Sequence, residues 1–171
     1  MHPAFALASR KLEQLEKEYE LFLRSHAAVI VPLQGKDTEE SRWSSVALTS
    51  TGIEHVYTGI EGVLKSLLGD IDGGVFAKSD EYHKALLAQS AAATDDRPPI
   101  ISDRTFELFD ELRGFRHAER NNYGHALRPA DVEDNFRRTK DAMRQFRDEV
   151  KTFITSMSQR YEDAERMLRD S

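Results

Sequence analysis

From Trp43 onward, apolar or small residues recur as Trp43, Val46, Ser50, Ile53, Tyr57, Ile60, Leu64 and Leu67, in alternating steps of three and four without a miss. That spacing keeps one stripe of side chains on one face of an α-helix and suits no strand, whose faces alternate every second residue. The stripe therefore predicts one long amphipathic helix. Asp37, with Glu40 three residues on, gives it a capping-box-like start, and Gly69 with the Asp72-Gly73-Gly74 turn gives it an end. Upstream, Leu12, Leu15, Tyr19 and Phe22 predict an N-terminal helix that breaks near Val31-Pro32 and Gly35. Downstream, Ser79 can cap a short helix through Leu86 and Leu87, which ends in an Ala-rich stretch and Asp95-Asp96-Arg97-Pro98-Pro99.

Ser102 starts a fourth helix, with Phe106, Phe109, Leu112 and Phe115 on its apolar side, running to about Tyr123-Gly124. Pro129 opens a fifth, in which Val132, Phe136, Met143, Phe146, Val150, Phe153 and Met157 keep heptad-like spacing, with Tyr161, Ala164 and Leu168 as an extension. No segment alternates with period two. The expectation is an all-α, up-and-down bundle of four long helices plus one short helix, formed by residues 1–171 as a single domain. The loop from Gly69 to Lys78 and the link from Ala92 to Ile101 are expected to be its mobile parts, because Gly, Asp and paired prolines do not continue a helix. Heptad spacing on long helices also leaves apolar surface that a second chain can cover.

Composition narrows the function classes. With no cysteine, the chain has no disulfide, no Cys-bound zinc and no thiol nucleophile, which suits the reducing cytoplasm. No apolar run approaches the ~20 residues of a membrane span, and Met1-His2-Pro3-Ala4 lacks the regions of a signal peptide. The net charge of −6 speaks against indiscriminate nucleic-acid coating and leaves room for a local basic site. Such a site lies at Leu112–Arg128, with four Arg and two His against one Glu. At about 100° per residue, Arg116, Arg120 and Tyr123 share one helix face. Two guanidiniums beside a phenol suit a phosphate, whose oxygens match the planar donor fork of Arg. The competing reading pairs these arginines with Glu111, Glu119 or the fifth helix. Tyr57 and Glu61, one turn apart, are placed so that the long helix can turn both toward the basic helix, with Glu61 either positioning or merely pairing one of its arginines.

Two further patterns carry less. Asp80-x-x-His83 sets two metal-ligand types on one face, but a carboxylate-bridged di-metal bundle needs a second such pair, so His83 is assigned to packing or capping in the short helix. There is no Walker loop, Gly-x-Gly-x-x-Gly after a strand, or His-Glu-x-x-His, and no cofactor is expected.

The run Tyr57-Thr58-Gly59-Ile60-Glu61, Tyr82-His83-Lys84-Ala85-Leu86-Leu87, Arg97-Pro98-Pro99-Ile100-Ile101, Phe115-Arg116-His117 and Tyr123-Gly124 resembles the HepT-like branch of the HEPN superfamily in order and approximate spacing, over residues 45–153. The resemblance implies a helical bundle that dimerises and a metal-independent endoribonuclease acting as the toxin of a toxin–antitoxin system. Its signature is Arg, four to six residues, His, and a Tyr two residues later that a nucleotidyltransferase antitoxin can modify with AMP. Laid on this chain, the signature puts Arg116 at the Arg, Asn121 at the His and Tyr123 at the Tyr. The frame Arg120 to His125 satisfies the Arg–His spacing but puts Leu127 at the Tyr. With Asn121 at the motif His, His117 or His125 is left to move a proton, and Arg116 and Arg120 to stabilise charge. Two functions follow as expectations: a ribonuclease of RNA such as tRNA, impaired by Asn121, with its site at a homodimer interface, or an inactive relative whose basic face binds RNA or the antitoxin.

Overall fold

The computed structural model describes residues 2–33, 35–36, 38–73, 82–121 and 127–170; at 120 and 121 the description covers the helix backbone alone. The described residues form five α-helices and two 3₁₀ turns, with no strand among them. The helices are α1 (Ala6–Val29), α2 (Glu39–Asp72), α3 (Tyr82–Ala91), α4 (Asp103–Asn121) and α5 (Pro129–Arg169). The all-α bundle of four long helices and a short one is thus the observed architecture.

Their contacts give its order. Lys11 reaches the Gly62 carbonyl, Leu15 lies against Gly59 and Phe22 against Gly52, so α1 and α2 run antiparallel. Glu16 pairs with Lys151 while the His26 ring stacks on Phe136, setting α1 antiparallel to α5. Ser102 bonds Glu149 and Glu111 pairs with Arg138, which sets α4 antiparallel to α5 as well. The long helices therefore alternate up and down, and α2 touches all four others. Ile53, Tyr57, Ile60, Leu64 and Leu67 of its stripe are buried with Phe109 and Leu112 of α4 and Phe146, Val150 and Phe153 of α5.

Local signals explain most boundaries. Thr38, not Asp37, caps α2: its Oγ1 accepts from the Ser41 backbone N–H at 3.2 Å, and Asp37 lies outside the described residues. Gly69 stays inside α2, which ends instead at Gly73, whose φ of +62° is the left-handed conformation that favours glycine. Ser102 caps α4, accepting from Thr105 N–H at 3.2 Å, and Pro129 opens α5. The Ser79 cap of α3 lies outside the described residues.

Three expectations are corrected. Trp43, first in the α2 stripe, is 58% exposed, because α1 has already ended at Val29 and the stripe closes only from Val46. On α5 the buried stripe stops at Met157 and half-buried Tyr161, which stacks on Phe5; Leu168 is exposed because the helix has run past its neighbours. The link from Ala92 to Ile101, expected to be mobile, is anchored in the core. Arg97 is wholly enclosed and donates from Nε and Nη2 to both oxygens of Asp72 (2.9 and 2.8 Å). It also donates to the carbonyls of Ala92, Gln89 and Pro98 (2.8, 3.0 and 3.2 Å). Gln89 Nε2 also donates to Asp72 Oδ2 at 2.9 Å, and Ile100 and Ile101 are buried beside Ser90. One guanidinium thus fastens the end of α3 to the end of α2, and through them the start of α4.

Candidate functional site

The middle of α2, the first turn of α3 and the C-terminal half of α4 converge on one carboxylate. Glu61 is set on the inward face of α2 by the same three-and-four spacing that buries Tyr57, Ile60 and Leu64, so its side chain is only 8% exposed. A buried carboxylate demands partners. Glu61 Oε1 lies 2.5 Å from Nδ1 of His83, and Oε2 lies 3.5 Å from Nη1 of Arg116. Arg116 Nε is also 3.5 Å from Oε1 of Glu54, one helical turn-pair upstream on α2. The Arg116 guanidinium stands 5.7 Å from the centre of the Tyr57 ring, a cation–π arrangement.

The two partners of Glu61 are held differently. The His83 contact is short and direct. The Arg116 contacts, both at 3.5 Å, are longer than a well-made N–H···O bond, so charge holds the guanidinium in place without locking its donor fork. Arg116 is 14% exposed and His83 30%, so both reach solvent over the buried carboxylate. Tyr82, next to His83, packs edge-on to its ring and carries Lys65 Nζ 5.9 Å from its own ring centre. Beneath them the Tyr57 hydroxyl is buried with no hydrogen-bond partner among the described residues. Burial first, and the adjacent Glu61 charge second, push the Tyr57 phenol far above its ordinary value, so it stays protonated.

Arg116 thus pairs with acids, but these come from α2 and not from Glu111, Glu119 or α5. Glu111 instead pairs with Arg138, and Arg113 with Asp110 at 2.8 Å. Among the described residues the site holds two carboxylates under its arginine, so it is not the bare cationic face that the Arg count of this stretch suggests. His117 is exposed on α4. Arg120 and Asn121 occupy its last turn, where the backbone alone is described, and Tyr123 and His125 lie outside the described residues.

His83 is the member that sequence reasoning assigned elsewhere, to packing or capping within the short helix. Its signal in the sequence was its place in the run Tyr82-His83-Lys84-Ala85-Leu86-Leu87 that carries the family resemblance. Glu61 was already singled out, but 22 residues of chain separate the two, and only the fold brings them together.

A family model for HepT-like proteins matches residues 48–157, well over half of the chain. The chain belongs to the HepT-like family. The matched span contains every residue of the Glu61 cluster, and it takes in α3, α4 and most of α2 and α5. No curated protein and no solved structure matches the chain. Among the described residues of this HepT-like protein, no helix is long and apolar enough to cross a membrane.

Proposed function

We propose that this HepT-like protein is an endoribonuclease of the HEPN type, the toxin of a toxin–antitoxin pair, that cuts RNA without a metal at a site centred on Arg116. The observation that carries this reading is the state of Arg116, which reaches solvent and is tethered by two long ion pairs, a geometry in which a phosphodiester can compete with the carboxylates for its donors. In such cleavage a base takes the ribose 2′-OH proton, the 2′-oxygen attacks the adjacent phosphorus, and cations stabilise the added negative charge. Arg116, joined by Arg120 one turn on, supplies the cations. Asn121 stands where the family motif has His and carries no proton near neutral pH, which removes a contribution of ~10²- to 10⁴-fold in rate. The protein works as a homodimer, with two motif helices facing each other, and a nucleotidyltransferase antitoxin silences it by placing AMP on Tyr123, adding bulk and negative charge where phosphate binds.

The test is cleavage of total tRNA in EDTA. Asn121→His should cut faster than the unaltered protein, and Arg116→Ala should abolish cutting in both backgrounds. Equal cutting with and without Arg116 refutes the site. A monomer in sedimentation at micromolar concentration refutes the shared interface. The position of Asn121 favours one second reading: a non-cleaving relative whose basic face binds RNA or the antitoxin, in which case no variant cuts and Arg116→Ala weakens binding alone.

A further inference from the structure

We propose that His83, held by Glu61, is a proton carrier of this site, so that with Asn121 at the motif position the 2′-OH proton is taken from α3. The inference rests on the ribonuclease reading and adds a residue to it.

Three observations point to His83. The first is orientation: Nδ1 faces a carboxylate oxygen at 2.5 Å, and an ionised carboxylate only accepts, so Nδ1 carries a hydrogen and, in the neutral imidazole, Nε2 carries the lone pair. A histidine whose far nitrogen is freed by a buried acid is the arrangement by which carboxylates orient catalytic imidazoles. The second is the gradient of exposure across the pair, from Glu61 at 8% to His83 at 30%, which hides the orienting acid and opens the imidazole to a substrate. The third is the sharing of Glu61. Its two oxygens hold His83 and Arg116 at once, so a phosphate drawn to Arg116 arrives one carboxylate away from the imidazole. Tyr82 against the ring edge and Tyr57 beneath Arg116 fill the space around the cluster.

The step balances without a cofactor. Nε2 of neutral His83 takes the 2′-OH proton; the 2′-oxygen forms a bond to phosphorus; the bond from phosphorus to the 5′-oxygen breaks. The leaving oxygen takes a proton from water, and the resulting hydroxide is neutralised by the imidazolium, which returns His83 to its starting form. The products are a 2′,3′-cyclic phosphate and a 5′-hydroxyl end. Glu61 is a positioning residue that touches no substrate.

The experiment measures tRNA cleavage in EDTA, and tRNA binding, by the full chain and by His83→Gln, His83→Ala, Glu61→Gln, Asn121→His and Arg116→Ala. His83→Gln keeps a donor for Glu61 and therefore the packing, yet carries no proton. The proposal expects the unaltered protein to cut, His83→Gln and His83→Ala to lose ~10²- to 10⁴-fold in kcat with RNA affinity unchanged, and added imidazole to restore part of the His83→Ala rate. Glu61→Gln should lower kcat and move the acid limb of the pH–rate profile. Cutting by His83→Gln at the unaltered rate, or no rescue by imidazole of a folded His83→Ala, overturns it. Cutting by Asn121→His alone, with the unaltered protein inert, also overturns it while leaving the ribonuclease reading intact. If no protein cuts and Arg116→Ala binds RNA as the unaltered protein does, the ribonuclease reading fails and this inference falls with it.

Discussion

Replacing Arg97 by Met removes a guanidinium that is 2% exposed and makes five hydrogen bonds, two of them to Asp72. Methionine fills most of the same volume, so the loss is electrostatic and not a cavity. It strands Asp72 with the Gln89 amide alone and leaves three carbonyls without their shared donor. Removing one partner of a buried pair costs about 3–5 kcal/mol. Asp72 is 13% exposed and can draw in water, which places the cost near the lower end, about 3 kcal/mol. For a chain of this size that lowers the thermal midpoint by about 6–12 °C. Chemical denaturation followed by circular dichroism measures it, and adding Asp72→Asn should cost less than the two single losses summed, since the partners share one network. The pH dependence has a fixed sign. Hydrogen bonds from Arg97 hold the Asp72 carboxyl below its ordinary value, so its contribution is full above about pH 4 and is lost as pH falls through the lower folded-state value. The Arg97→Met deficit should therefore shrink in acid. A loss under about 1 kcal/mol at neutral pH, or a deficit that grows in acid, would mean that Asp72 does not depend on Arg97.

Two smaller perturbations test other buried polar groups. Tyr57→Phe removes a buried hydroxyl that faces the Glu61 carboxylate without a well-formed hydrogen bond, so stability should change by less than about 1 kcal/mol in the same denaturation assay. His26 is 7% exposed and stacks at 3.9 Å on Phe136; burial lowers its pKa, with Lys140 adding to the effect and Glu133 opposing it. The unfolded chain then binds the proton first, so stability falls as pH drops below about 7 and levels off beneath the folded-state value. His26→Leu should flatten that slope in denaturation midpoints collected across the range, and an unchanged slope would remove His26 from the account.

What could be read from the sequence follows from the reach of each signal. The α2 and α5 stripes, the Ser102 cap and Pro129 at the head of α5 are local patterns, since each is fixed by residues within a turn or two of one another. Tyr57 and Glu61 were recognisable as a pair facing the motif helix for the same reason. The Arg97 anchor was not: Asp-Asp-Arg-Pro-Pro has the composition of a loose link, and its order comes from an aspartate 25 residues earlier. Thr38 displaced Asp37 as cap through a one-residue shift that composition does not resolve, both types being good caps. His83 escaped because its spacing to Asp80 suggests only an incomplete metal pair and nothing local points to Glu61. Its meaning depends on Glu61 having been buried by an unrelated periodicity.

The two glycines under α1 have a consequence of their own. Leu15 sits over Gly59 and Phe22 over Gly52, and in each pair a methyl at the glycine would collide with the side chain above it. Knobs and notches are both seven residues apart and run in opposite senses, so they work as a key with two teeth. Sliding α1 by four residues along α2 would drive Leu15 and Phe22 onto Val63 and Val56 in one direction, or onto His55 and Leu48 in the other. The antiparallel hairpin therefore has one alignment, written by two residues with no side chain at all, and that alignment fixes which stretch of α2 remains for α3 and α4 to meet at Glu61.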